Sequence, residues 1–194
     1  MSHHIYHTRG LILGSVSVGE SNRFYKLFTE ELGLVGASAQ SVREGKSKLR
    51  YVLQDFSWVF VDLVRGKEVW RIVSASSDIV RGSPPKNPQA HKVFVRICSV
   101  VTRFVHGESR EDLLFGDLCA VFDLLYSRSL EEKHLVTLET LAILRILEQL
   151  GYADEPTMKD FLRATWSPEL VMQFEPFQKN AILSINKAFR ESHL

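Results

Sequence analysis

The sequence predicts an α+β chain in which a five-stranded β-barrel comes first and an all-helical domain follows. Three observations carry this expectation. Short β-rich stretches punctuated by glycines and polar turns run from His7 to Ser77. A proline-rich interruption, Gly82-Ser83-Pro84-Pro85-Lys86-Asn87-Pro88, then breaks every periodicity. Beyond it, apolar residues recur at helical spacing. The boundaries expected are a barrel domain at 1–78, a linker at 79–90 and a helical domain at 91–194.

Five strands are expected, at Thr8 to Val18, Arg23 to Thr29, Leu34 to Ser41, Trp58 to Val64 and Glu68 to Ser74. The last two flank Arg65-Gly66-Lys67, where a glycine with positive φ can close a hairpin. The connection between the third and fourth strands is long, an arrangement that suits an OB-fold barrel. Strand alternation puts Phe24, Lys26 and Phe28 on one face and Tyr25, Leu27 and Thr29 on the other. The pattern leaves open which face lines the interior, and so whether Tyr25 is core or a stacking platform. Trp58 and Trp70 are assigned to the core or to a domain interface.

In the second half, Val93, Ile97, Val100 or Val101 and Phe104 line one face of a first helix. A second is expected from about Arg110 to Arg128, behind Ser109-x-x-Asp112. A third starts at the capping box Ser129-x-x-Glu132 and ends at Gly151. Ser167-Pro168-Glu169 reads as an N-cap followed by proline in the first turn, and Phe174 to Ser192 supplies a last amphipathic helix.

Composition narrows the function. With 194 residues, 45% of them hydrophobic, the chain has material for a real core. No apolar run approaches the roughly 18 residues needed to span a bilayer, and the start lacks the layout of a signal peptide, so a cytoplasmic location is expected. Cys98 and Cys119 sit in helix-like apolar patterns and read as buried free thiols. The histidines are scattered without metal-ligand spacing, and no metal or cofactor is expected. There is no glycine-rich phosphate loop, nucleophile elbow or His-Glu-x-x-His, which argues against catalysis.

The net charge of +1 is a poor advertisement for a polyanion binder. Local clustering matters more, because fields decay over about 8–10 Å at physiological salt. Residues 1–78 hold ten Lys/Arg against eight Asp/Glu, while the remainder holds fourteen against fifteen. Arg43, Lys46, Lys48 and Arg50 fall within eight residues, on a connection expected to be exposed and mobile enough to follow a phosphate backbone. Arg23 and Lys26 on the second strand are further candidates for backbone contacts, while Glu20 reads as a turn residue.

These parts occur in a specific order: Thr8-Arg9-Gly10-Leu11-Ile12-Leu13, Gly19-Glu20-Ser21, Thr29-x-x-x-Gly33, Arg43-x-x-Lys46-Ser47-Lys48-Leu49-Arg50 and Leu53-Gln54-Asp55-Phe56-Ser57. That order resembles the amino-terminal domain of the RecO family of DNA repair and recombination mediators. The resemblance implies binding of single- and double-stranded DNA and annealing of complementary strands. It also implies contact with the tail of the single-stranded-DNA-binding protein, and cooperation with RecR in loading RecA recombinase at the nucleoid. Some family members carry a four-cysteine zinc ribbon after the equivalent of Glu148-Gln149-Leu150-Gly151-Tyr152; here Asp154 to Met172 contains no cysteine, so a zinc-less variant is expected. An OB-fold module reading RNA or a protein partner is the alternative, and an enzyme with a site assembled from distant residues a more remote one.

Overall fold

The computed structural model describes residues 4–82, 84–127 and 130–192. Contacts divide the chain into two compact units, residues 1–84 with 106–115 and residues 85–105 with 116–194. The segment 106–115, expected within the helical domain, is thus grouped with the barrel. The sequence signal was local, whereas the contacts that place this segment are made with residues tens of positions away.

In the first unit, β1 (Ile5–Val18), β2 (Asn22–Thr29), β3 (Gly33–Ala39), β4 (Trp58–Arg65) and β5 (Trp70–Ser77) close into a barrel in the order β1-β2-β3-β5-β4. Neighbours are antiparallel except β3 and β5, which close the barrel as a parallel pair through Ala37 opposite Trp70 and Ser38 opposite Arg71. This is the expected five-stranded OB-type barrel. Its interior is filled by alternate residues, among them Ile12, Tyr25, Leu27, Val35, Ala37, Val61, Leu63 and Trp70. Tyr25 is fully buried there, so it is a core residue.

Two loops explain motifs that the sequence displays. The Thr29-x-x-x-Gly33 turn is held by one hydroxyl: Thr29 Oγ1 donates to the Gly33 carbonyl at 2.9 Å and accepts from the Leu32 amide at 3.1 Å. Gly33 has φ +66, and an added Cβ would lie 2.0 Å from the Ser109 carbonyl oxygen, so both backbone conformation and space demand glycine. The β4–β5 hairpin departs from expectation. Gly66 is not among the glycines of positive φ; it is required because Val69 O would lie 2.3 Å from a Cβ. The Gly66 amide donates to that oxygen at 3.1 Å, which keeps Lys67 to Val69 in the turn and delays β5 to Trp70 instead of Glu68.

The outer face of the barrel also has a buried patch. Leu11 on β1 pairs with Phe28 on β2 and Trp58 on β4, and all three are fully buried. Phe115 covers them, with its ring 5.5 Å from Trp58 edge-to-face and 5.7 Å from Phe28. Each such aromatic contributes about 1.5–3 kcal/mol by burial. Arg110 pairs with Glu31 at 2.8 Å, Glu108 binds Arg65, and the Trp70 indole donates to Glu108 at 3.1 Å.

The second unit contains α2 (Pro88–Phe104), the body of α3 (Asp112–Ser127), α4 (Glu132–Gln149), α5 (Lys159–Arg163), α6 (Pro168–Phe174) and α7 (Gln178–Glu191). Helix α2 begins inside the expected linker, because Asn87 caps it by accepting from the amides of Gln89 and Ala90, and Pro88 fills the first turn. Val93, Ile97, Val100, Val101 and Phe104 are all buried as expected, as are the free thiols Cys98 and Cys119. Helix α3 starts at Asp112, two residues after the expected Arg110. Ser129 and Arg128 lie outside the described residues, and the residue at the N-cap of α4 is Glu131. Gly151, φ +77, follows the end of α4. Ser167 caps α6 as expected, accepting from the Leu170 amide at 3.1 Å. The expected single helix from Phe174 is broken: Pro176 has no amide to donate, and Glu175–Phe177 forms a 3-10 turn before α7.

The segment 153–166 packs Met158 and Leu162 into the core and is gripped in addition by one buried cation. Arg145 on α4 is 3% exposed; its guanidinium donates to the carbonyls of Phe161 (2.5 Å) and Ala164 (2.6 Å) and to Asp117 (3.3 Å), and stacks 4.1 Å from the centroid of the Trp166 ring. Asp117 also accepts from the Trp166 indole at 2.7 Å and from Gln149 at 2.7 Å. Burial pulls the Arg145 pKa below its ordinary value, and Asp117 opposes that shift.

Gly33→Ala should lower the unfolding free energy by roughly 2–4 kcal/mol in urea titration, from strain plus the Ser109 clash. Gly14→Ala, where a Cβ meets nothing within 4 Å, should change it by less than about 0.5 kcal/mol. Arg145→Met should cost about 3 kcal/mol, with faster amide exchange concentrated at 153–166. Arg145→Lys should restore only a minor part, because one ammonium cannot reproduce the planar fork.

Candidate nucleic-acid interface

The long connection between β3 and β4 is where the sequence concentrates positive charge, and its conformation is set by anchors at both ends. After β3 the chain turns through Ser41, whose positive φ of 52 is costly for a non-glycine residue. That conformation is supported from β2, since the Asn22 side chain accepts from the Ser41 amide at 3.0 Å. The Gly19-Glu20-Ser21 turn provides the second anchor. The Ser21 carbonyl accepts from the Arg43 amide at 3.0 Å, and the Gly19 carbonyl from the Arg43 guanidinium at 3.1 Å. Glu20 itself is exposed, in keeping with a turn residue.

Val42 and Leu53 are buried against the barrel core, and Leu49 and Val52 pack on it from a short helix, α1 (Leu49–Val52). The connection is therefore an ordered cap with an exposed outer side. At its far end, Phe56 takes a positive φ of 65 and Asp55 accepts from Ser15 at 2.6 Å, which returns the chain to β4.

This scaffold brings three of the six expected cations together. Arg23, Arg43 and Arg50, with Val42, line one recess of about 180 Å³. Arg23 lies over the Tyr25 ring, 6.0 Å from its centroid. The Arg23 Nε and the Tyr25 hydroxyl are both shielded from solvent without a hydrogen-bond partner among the described residues. Burial pushes the Tyr25 hydroxyl pKa up, opposed by Arg23 and reinforced by Asp55. Three guanidiniums beside an unsatisfied donor suit a phosphate-like anion, for which arginine offers planar, forked recognition.

Lys46 and Lys48 do not line the recess. They are exposed on the outer side of the connection and have no charged partner among the described residues. Lys26 is placed on the outer face of β2, opposite Gly14 on β1 and Gly36 on β3. Phe24 shares that face, and its ring lies so close over Gly36 that a Cβ there would be 2.5 Å from the Phe24 Cζ. The open alternation is thus resolved, with Phe24 and Lys26 outward and Tyr25 and Leu27 inward. Phe28 also points outward but is covered by Phe115.

Sequence reasoning passed over Tyr51. It is 72% exposed, directly follows Arg50, and has the Arg50 guanidinium 5.6 Å from its ring centroid. An aromatic inside a basic run was the available signal. Among the described residues no group of three or more His, Cys, Asp or Glu is placed to hold a metal ion, and no helix is long and apolar enough to cross a membrane.

Residues 1–77 match the family described as Recombination protein O N terminal. The DNA repair protein RecO of Dehalococcoides mccartyi is 30% identical over 156 residues, which cover 78% of this chain and 58% of that protein. The RecO of Heliobacterium modesticaldum is 29% identical over 160 residues, covering 78% of this chain and 53% of the relative. That of Rubrobacter xylanophilus is 33% identical over 73 residues, covering 38% of this chain and 29% of the relative. The chain thus spans somewhat over half the length of the relatives that it matches most fully. Residues 1–77 are thus a RecO-type amino-terminal domain, and the likeness to RecO proteins continues into the helices.

Proposed function

We propose that this protein is a DNA-binding recombination mediator of DNA repair, acting in the cytoplasm at the nucleoid. In this reading it binds single- and double-stranded DNA, anneals complementary strands, and helps RecR load recombinase onto DNA covered by the single-stranded-DNA-binding protein. The observation that carries the reading is the recess of Arg23, Arg43 and Arg50 with the buried, unsatisfied Arg23 Nε, set in an OB-type barrel. Lys46 and Lys48 extend the positive surface along the connection, and Lys26 extends it across the strand face.

The mechanism follows from charge. Two strands approaching one another repel through their phosphates, and each phosphate held by a guanidinium or ammonium removes part of that repulsion and releases counterions. Base pairing supplies the driving force, so no covalent chemistry is required and we assign none. The helical unit would supply the protein-binding surface. Its recess of about 500 Å³ carries Asp154, Glu155 and Glu191 against Lys187, a balance that repels the acidic tail of a single-strand-binding protein, so we do not assign the tail there.

Reversing charge at Lys46, Lys48 and Arg50 together should weaken single-stranded DNA binding by about 100-fold or more at low salt. The slope of log affinity against log salt should flatten by about one unit per lost phosphate contact. Fluorescence anisotropy over a salt series, with circular dichroism to verify folding, reads both quantities. Unchanged binding in a folded triple variant would sink the assignment of this connection to DNA.

A further inference from the structure

Helix α1 has two sides. Leu49 and Val52 are half-buried and pack on the barrel core, and Leu53 just beyond them is 1% exposed. Successive helical residues rotate by about 100°, so this inward set directs Arg50 and Tyr51 away from the barrel. The backbone holds them there: the Tyr51 amide donates to the Lys48 carbonyl at 3.3 Å, and the Gln54 side chain donates to the Arg50 carbonyl. As a result Tyr51 is the most exposed Phe, Tyr or Trp among the described residues.

A single exposed aromatic is ordinary on a protein surface. Tyr51 is set apart by its neighbour. The guanidinium that lies 5.6 Å from its ring is that of Arg50, which is also one wall of the arginine recess. A cation near the ring and two further cations beyond it make a site with an aromatic surface at one end and anion recognition at the other. Those are the two chemistries of a single nucleotide: a flat base and its phosphate.

We propose that Tyr51 is a base-stacking platform for this recess, and that the site therefore takes unpaired nucleotides in preference to duplex DNA. The proposal rests on the DNA-binding reading above and adds a residue and a selectivity to it. In a duplex the base faces are covered by their neighbours, so the ring contributes only where a base is free. Phosphate neutralisation by Arg23, Arg43 and Arg50 is available to either form. As strands pair, the stacking contact is lost while the charge contacts remain, which loosens the site once its product forms.

The test uses the full chain with three probes of equal length: a single-stranded oligothymidine, the same strand with abasic sites throughout, and a blunt duplex. Tyr51→Ala should weaken oligothymidine binding about tenfold while changing abasic-strand and duplex binding less than twofold, with the salt slope unaltered. Tyr51→Phe should retain wild-type binding to all three, because the stacking face persists. Equal loss on all three probes, or no loss on oligothymidine, would overturn the proposal while leaving the DNA-binding reading intact. Failure of the unsubstituted protein to bind any of the probes would overturn both.

Discussion

The candidate site depends on a few hydrogen bonds between the first turn of the barrel and the start of the β3–β4 connection. Asn22 supports Ser41 in a conformation that residue disfavours, and Ser21 and Gly19 hold the Arg43 amide and guanidinium. Like charges repel one another, and a cluster of cations on an unsupported loop would spread apart. Here the backbone between them is fixed first, and Val42 and Leu53 are buried against the core on either side of the charged stretch. The work of bringing Arg23, Arg43 and Arg50 together is thus done during folding, before any anion arrives. Preorganisation of that kind lowers the ordering cost of binding.

The barrel and the cap support each other. Tyr25 and Leu27 face the interior and form part of the same core cluster that Val42 and Leu53 complete, so the strand that presents Lys26 outward and lays Arg23 over the Tyr25 ring is also a wall against which the cap is packed. Glycines set how closely the pieces approach. At Gly36 the missing side chain admits the Phe24 ring, and at Gly33 it admits the Ser109 backbone. The first shapes the outer face of β2 and β3, while the second lets residues 106–115 lie against the turn that begins β3.

Much of this was legible in the sequence, and the exceptions share a cause. The strands follow from period-two alternation, and the buried face of α2 follows from Val93, Ile97 and Phe104 at helical spacing. Basic residues at 43, 46, 48 and 50 marked the connection that caps the barrel. What was not legible depended on partners distant in the chain. Alternation could not say which side of β2 faces inward until β1 and β3 lay beside it. Gly66 looked like a residue chosen for φ, but its constraint is the Val69 carbonyl. Segment 106–115 carries no barrel signal of its own, and Phe115 joins the first unit through Phe28, Trp58 and the Arg9 guanidinium that lies 5.4 Å from its ring centroid. Tyr51 was hidden by the arginine beside it, since its exposure comes from the inward set of Leu49, Val52 and Leu53.

Arg145 grips the segment beyond α4 chiefly through the main-chain oxygens of Phe161 and Ala164. Every amino acid supplies a carbonyl, so these two hydrogen bonds are blind to the side chains that carry them, while Met158, Phe161 and Leu162 are held separately by packing in the core. A region secured by main-chain grips and inward packing can change its outward-facing residues without coming loose. The helical unit therefore has a stretch of chain whose outer residues are free to be refitted to a new partner while the bolt beneath stays the same.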